Sequence, residues 1–227
     1  MESIKKHFDE EAKEYDGIIL KLIPYYNEML TALILSIPFD KEKEINVIDL
    51  GCGTGTISKL IKEKFVNAKI TCVDFASKMI DIAKFKLKDY KDINYIIEDF
   101  YKFEFDKKYD IAVSSLALHH LQTDSDKMDF YKKIYQGLNH GGMFFNADVI
   151  LSQNDYLQKT YLAKWKEYML KSVIEEEIEK KWFPSYNNED KPSEIMKQLE
   201  WLKEIGFKQI DIIWKYYNFA VYGGYKN

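Results

Sequence analysis

Three glycines at alternate positions, Gly51, Gly53 and Gly55, follow an apolar run and a carboxylate, Asp49, in the segment INVIDLGCGTGTISKLI over residues 45–61. Glycine lets the backbone take positive φ and lets a ligand approach the main chain, while the first turn of the helix that follows offers unpaired N–H groups. Such a stretch can hold a polar ligand against bare backbone. Two further carboxylates stand at comparable places downstream, Asp74 closing ITCVD and Asp99 closing INYIIED. His119 and His120 follow a fourth apolar run, YDIAVSSLAL, where an imidazole can take a proton, orient a water or pack. Asn146 and Asp148 end a fifth run, and Asp148 can attract an amine, accept its proton, or cap a loop.

The elements that must position these groups follow from periodicity. Ile45, Val47, Ile48 and Leu50 form the short β-branched run of a buried parallel strand, and Ile57, Leu60 and Ile61 then recur at helical spacing. Strands are predicted at 45–50, 69–74, 93–97, 110–115 and 142–148, alternating with helices at 54–65, 77–89 and 126–138. That alternation implies an α/β fold, a doubly wound parallel sheet with right-handed crossovers and helices on both faces. In open sheets of this kind ligands bind beyond the carboxyl ends of the strands, so Asp49, Gly51, Asp74, Asp99 and the loop after Ser115 should surround one crevice. Before the core, helices are expected over 3–15 and 18–36, the second with Ile19, Leu22, Ile23, Tyr26, Leu30 and Leu33 on its apolar face. Residues 153–207 read as two helices, a proline-bounded loop at WFPSYNNEDKP and a last helix ending at Gly206; KQIDIIWKYYNFAVYGGY then fits an antiparallel hairpin.

The dinucleotide fingerprint wants glycine or alanine at the sixth position of GxGxxG, whereas GCGTGT has Thr56 there and glycine at the fifth. The spacing GxGxG, with Asp49 two residues ahead, instead resembles motif I of the class I S-adenosylmethionine (SAM)-dependent methyltransferases. The resemblance continues in order through Asp74, Asp99 with Phe100, the fourth strand and its HHL loop, and GLNHGGMFFNADV, covering about residues 40–150. It implies a Rossmann-like sheet of seven strands in the order 3-2-1-4-5-7-6 with the last strand antiparallel. It also implies SAM as methyl donor and S-adenosylhomocysteine as product. Asp74 would take the ribose hydroxyls, Asp99 and Phe100 the adenine, and Cys52, Phe75, Met79 and Ser115 would complete a donor site built on Asp49, Gly51, Gly53 and Gly55. Phosphoethanolamine methyltransferases of this family are similar in having a histidine at the place of His120 and a tyrosine matching Tyr15; the resemblance so makes His120 and Tyr15 catalytic candidates, and Asp148 joins them by its place at the end of the fifth strand. HHL also occurs in members of varied activity, leaving His120 between catalysis and packing.

Composition narrows the partners. With 227 residues, 46% of them hydrophobic, and no low-complexity divider, one domain is expected. Its parts would be a helical cap at 1–37, a donor-binding core at 40–150, a helical lid at 151–206 and a strand pair at 207–227. MLTALILSI, residues 29–37, is too short to span a bilayer, and the charged amino terminus does not resemble a secretion signal, so a cytoplasmic protein without membrane attachment is expected. Cys52 and Cys72 show no zinc spacing and the four histidines form no i, i+4 pair, so no metal is expected. His7 and His140 are expected at the surface. All 33 basic residues are lysine, which removes the guanidinium fork that clamps carboxylates, phosphates and guanine edges; with a net charge of −4 and interleaved acids, a nucleic-acid partner is disfavoured.

The acceptor follows from the aromatic residues of the insertion, Tyr156, Tyr161, Trp165, Tyr168, Trp182, Phe183 and Tyr186, which can serve as core or line a pocket. The expected function is methyl transfer to a small organic acceptor at nitrogen, oxygen or sulfur. Its rivals are a non-catalytic SAM-binding protein, a nucleic-acid methyltransferase and, against Thr56, a nicotinamide oxidoreductase. The oligomeric state stays open.

Overall fold

The computed structural model describes Phe8 and residues 12–227; most of the helix expected over 3–15, and His7 with it, lies outside the described residues. Helix α1 (Tyr15–Leu22) and α2 (Tyr26–Leu35) precede β1 (Ile45–Leu50), α3 (Thr56–Lys64), β2 (Ala68–Asp74), α4 (Ser77–Lys86), β3 (Ile93–Ile97) and β4 (Tyr109–Ser115). A 3₁₀ turn (Leu118–His120), α5 (Asp124–Gly137) and β5 (Leu138–Val149) complete the parallel part. The insertion carries α6 (Asp155–Met169), a one-turn α7 (Glu175–Glu177), a π turn (Ile178–Trp182), α8 (Phe183–Glu189) and α9 (Ile195–Ile205), and β6 (Lys208–Tyr216) and β7 (Phe219–Tyr225) close the chain.

The seven strands lie in the order β3-β2-β1-β4-β5-β7-β6, parallel except for β7, which runs antiparallel to both β5 and β6. Alternation along the strands divides the apolar side chains between two faces: Val47, Ile111 and Phe145 join one core cluster with α2 and α3, while Ile48, Ala112 and Phe144 join another with α5 and α9. The register sets Asp49 opposite Cys72 and Val113, so the carboxyl ends of β1, β2 and β4 finish at one edge of the sheet. Asp74 and Ser115, the last residues of β2 and β4, therefore come to the same edge as the glycine turn.

Three expectations need correction. The single helix over 18–36 is two helices bent by 97°. Pro24 lacks the N–H that would continue α1 and its ring crowds the preceding turn, while Tyr25 takes a left-handed φ of 53° before α2 begins. The loop expected at WFPSYNNEDKP is mostly helix: α8 continues without a break from the π turn, whose wider hydrogen-bond register immediately precedes Pro184. β5 starts at Leu138 rather than 142: Tyr109 pairs with Leu138 and Ile111 with Met143, so the residues between them, including Gly141 at φ 77°, bulge out of the ladder instead of ending the strand. Among the described residues no single helix is long and apolar enough to cross a membrane.

Candidate active site

The glycine turn is shaped by two different needs. Gly51 has φ 72°, and a Cβ added to it would lie 2.2 Å from the Cβ of Ala117, so only hydrogen fits where the loop after β4 crosses the turn. Gly53 has φ 52° and nothing within 4 Å of the Cβ position, leaving its backbone bare toward a cavity. Asp74 fixes this turn, its Oδ2 accepting from the Gly53 amide at 2.8 Å and its Oδ1 from the Ala76 amide at 2.9 Å. A small cavity here is lined by Gly51, Gly53, Asp74, Phe75, Met79 and Phe100 on the sheet side and closed by Phe8, Tyr15, Ser115 and His120. Its neighbour takes in Asp49, Cys52, Thr54, Tyr26 and again Tyr15 and Ser115.

Asp49 is 1% exposed and accepts from the Ser58 hydroxyl at 2.6 Å; burial pushes its carboxyl up to about 7, against the lowering by that hydrogen bond. Cys52 and Cys72 are both buried free thiols, and burial raises the Cys52 thiol well above its ordinary value, which removes it from nucleophilic work. Asp99 accepts from the Tyr101 amide at 3.0 Å, while Phe100 packs against Phe130 and lines the glycine-turn cavity. Asp16, at the start of α1, ties that helix to the glycine turn: its Oδ1 accepts from the Thr54 hydroxyl at 2.6 Å, and its Oδ2 meets Lys86 Nζ at 2.7 Å. Tyr15 is thereby held over the turn, and burial, with Tyr26 and Asp74 adding, keeps its phenol protonated.

Beyond Tyr15 the space widens into a chamber lined by Ile18, Leu22, Trp165, Trp182, Tyr186 and Phe219. Tyr15, Leu116, His120 and Phe8 border both this chamber and the glycine-turn cavity. Leu116 holds φ 50°, a costly backbone for a branched side chain, and keeps it with its amide bonded to the Ala147 carbonyl at 2.9 Å. Trp165 packs edge-on to Phe183, Tyr186 and Phe219 and donates its indole N–H to the Leu22 carbonyl at 2.7 Å, so the insertion is fastened to α1. Of the aromatic set, Trp165, Trp182 and Tyr186 line the chamber, whereas Tyr156 points out at 78% exposure.

His119 and His120 are both buried, with opposite charges of environment. His119 Nδ1 lies 2.5 Å from Asp148 Oδ1 and its Nε2 lies 3.4 Å from Asp190 Oδ1. Burial alone would lower its pKa, but Asp148 and Asp190 outweigh it and lift it to about 10. His120 is pushed down to about 4 by burial and by its cationic neighbour, so its ring is neutral near pH 7. Its Nδ1 lies 3.6 Å from Asp190 Oδ1, and its ring meets Phe8 edge-on. Asp148 does not line the chamber directly: Oδ1 serves His119 and the Val149 amide, and Oδ2 accepts from the His119 amide and from Asn146 Nδ2, both at 3.2 Å. Asn146 in turn donates to Tyr222, within a buried set completed by Tyr131 and Gln198. The sequence reading missed Asp190 and Glu189, which the insertion brings to the chamber. The Lys191 amide donates to the His119 carbonyl at 3.0 Å and pins this segment, a pairing 72 positions apart with no periodic signal to announce it. His140 is exposed.

Residues 47–142 match a family model described as a methyltransferase domain. The chain is 32% identical over 139 residues to a malonyl-[acyl-carrier protein] O-methyltransferase of Ilyobacter polytropus, covering 61% of this chain and 49% of that one. It thus spans about half the length of that relative. To a carboxy-S-adenosyl-L-methionine synthase of Nautilia profundicola it is 27% identical over 222 residues, 96% of this chain and 94% of the other. The solved structure of DhpI in complex with SAM and HEP shares the fold, with a TM-score of 0.66 and 16% identity over 98% of this chain and 95% of that one.

Proposed function

Because the chain belongs to the class I SAM-dependent methyltransferase family, we propose that it methylates a small organic acceptor held in the aromatic chamber beneath α6 and α8. The observation that carries this reading is that the glycine-turn cavity and the chamber meet at Tyr15, Leu116 and His120. SAM supplies an electrophilic methyl on a sulfonium, and the residues present suit it. The bare Gly53 backbone and Asp74 offer contacts for a ribose, Met79, Phe75 and Phe100 an apolar slot for adenine, and Asp49 a carboxyl whose charge a cationic donor favours. Asp99 precedes Phe100 in the chain but does not itself line that slot.

In-line displacement gains most from fixed approach and exclusion of water. Tyr15 and Leu116 narrow the passage between the two spaces, and the aromatic walls keep the acceptor's body dry. His120, neutral and buried at the junction, is placed to contact the nucleophile; Asp148 acts through His119 as a positioning residue. The names of the two relatives suggest carboxylated substrates, but this chain has no arginine with which to clamp one, and two carboxylates, Glu189 and Asp190, line the chamber. The acceptor is therefore taken to be mainly apolar, with a nitrogen, oxygen or sulfur nucleophile.

Calorimetry should show binding of SAM and S-adenosylhomocysteine, and methyl-labelled SAM incubated with cell extract should place label in the small-molecule fraction. Label in nucleic acid or protein would overturn the acceptor class, and absence of donor binding would overturn the whole reading. With the active fraction in hand, His120→Ala should lower turnover by about 100-fold while leaving donor affinity nearly unchanged; unaltered turnover would remove His120 from the mechanism.

A further inference from the structure

The polar end of the chamber contains a group that methyl transfer does not by itself require. His119, His120 and Asp190 each present one donor atom, all within 4.8 Å of one another, and all three residues line the chamber. Their spacings are informative. Asp190 Oδ1 lies 3.4 Å from His119 Nε2 and 3.6 Å from His120 Nδ1, longer than a charge-assisted hydrogen bond of about 2.7–2.9 Å, and the other contact of His120 Nδ1, to the Glu189 carbonyl, is as long at 3.5 Å. A tetrahedral ion with bonds of about 2.0–2.1 Å places neighbouring ligand atoms about 3.3 Å apart, close to both values.

The surroundings match as well. His119 turns its other ring nitrogen to Asp148 at 2.5 Å, the carboxylate–histidine arrangement that fixes the tautomer of a ligating imidazole and aims its free nitrogen. Asp148 is itself held by Asn146 and the Val149 amide, and the Lys191–His119 backbone bond keeps Asp190 at its station. Two imidazoles and one carboxylate leave a fourth position of a tetrahedron toward the chamber.

We propose that His119 Nε2, His120 Nδ1 and Asp190 Oδ1 bind one divalent transition metal ion of the zinc class, with Asp148 as the orienting carboxylate. The donor set of imidazole and carboxylate suits zinc, cobalt or iron better than magnesium or calcium. Binding releases the proton that His119 Nε2 otherwise directs at Asp190, and the ion takes its place as the positive centre of the chamber. Insofar as the acceptor reading above holds, the open position would receive an oxygen or sulfur atom of the acceptor, which favours those nucleophiles over an amine.

The test needs no knowledge of the acceptor and no methyl transfer. Full-length protein stripped with a chelator and dialysed is titrated with Zn(II) against a chromophoric competitor and with Co(II) by visible absorbance. One ion per chain and a tetrahedral Co(II) band are expected. Asp190→Asn and His120→Ala should each weaken binding by at least about 100-fold, and Asp148→Asn by about 10–100-fold. Circular dichroism checks that the variants are folded, and His140→Ala, at an exposed histidine, should bind as the parent does. Absence of stoichiometric metal, or metal binding that both Asp190→Asn and His120→Ala leave intact, overturns the site. Donor binding measured on the same samples reports separately on the methyltransferase reading.

Discussion

The glycine-turn side of the cleft is drawn mostly from residues 51–120 and relies on backbone, whereas the chamber gathers side chains from Phe8 to Phe219 and relies on packing. Gly51, Gly53 and Asp74 are placed by two adjacent strand ends and their turns. Tyr15, His120, Trp165 and Asp190 come from four segments that meet only because the sheet, α1 and the insertion close on each other. Local construction tolerates little change at the turn itself; distributed construction spreads its cost over the fold.

Substitutions can break this contrast. The largest effect is expected for Trp165→Ala, which removes three aromatic contacts and the bond to the Leu22 carbonyl and should cost about 3–5 kcal/mol of stability. Thermal melting with and without SAM checks it: the melting temperature should fall while the shift induced by SAM persists. Loss of that shift would mean the two sides are not separable. Gly51→Ala should do the reverse. Positive φ and the 2.2 Å approach to Ala117 together should cost about 2–4 kcal/mol, felt as weaker SAM binding by about two orders of magnitude. Ala117→Gly in the same chain should recover the steric part alone.

Asp49 gives a pH signature confined to the donor side. Its folded pKa of about 7 stands above the ordinary value of 3.8, so between these the folded chain holds a proton that the unfolded chain releases. Stability contributed by this group therefore falls as pH climbs from about 4 to about 7, and Asp49→Asn should gain in melting temperature relative to the parent across that window, the gain levelling off above it. SAM affinity should rise over the same window in the parent and stay flat in Asp49→Asn. The smallest effect is expected at the latch between α1 and the turn. Asp16 is half exposed, so Asp16→Asn should cost about 0.5–1 kcal/mol, a two- to fivefold rise in the SAM dissociation constant that shrinks further in high salt.

Much of this contrast was legible in the residues. The five core strands, their carboxyl-end acids and the glycine turn could be placed because each depends on period and on what a main chain permits at Gly51 and Gly53. Where reading failed, a nearer cause had been outweighed. The apolar stripe from Ile19 to Leu33 argued for one helix, yet Pro24 broke it; Pro184 looked like a loop residue, yet it lies within a helical run that a π turn carries into α8. Asp190 sat in a polar run with no spacing to tie it to His119, 71 positions earlier in the chain.

By itself the sequence determined the order of elements, the glycine turn and the absence of any guanidinium, since these follow from local periodicity, steric freedom and residue identity. Tertiary structure decided that the two imidazoles sit in opposite electrostatic surroundings, that Asp148 bonds behind His119, and that Asp190 closes on both histidines. Those properties depend on burial and on distances between remote segments, and neither is a quantity that a linear pattern contains.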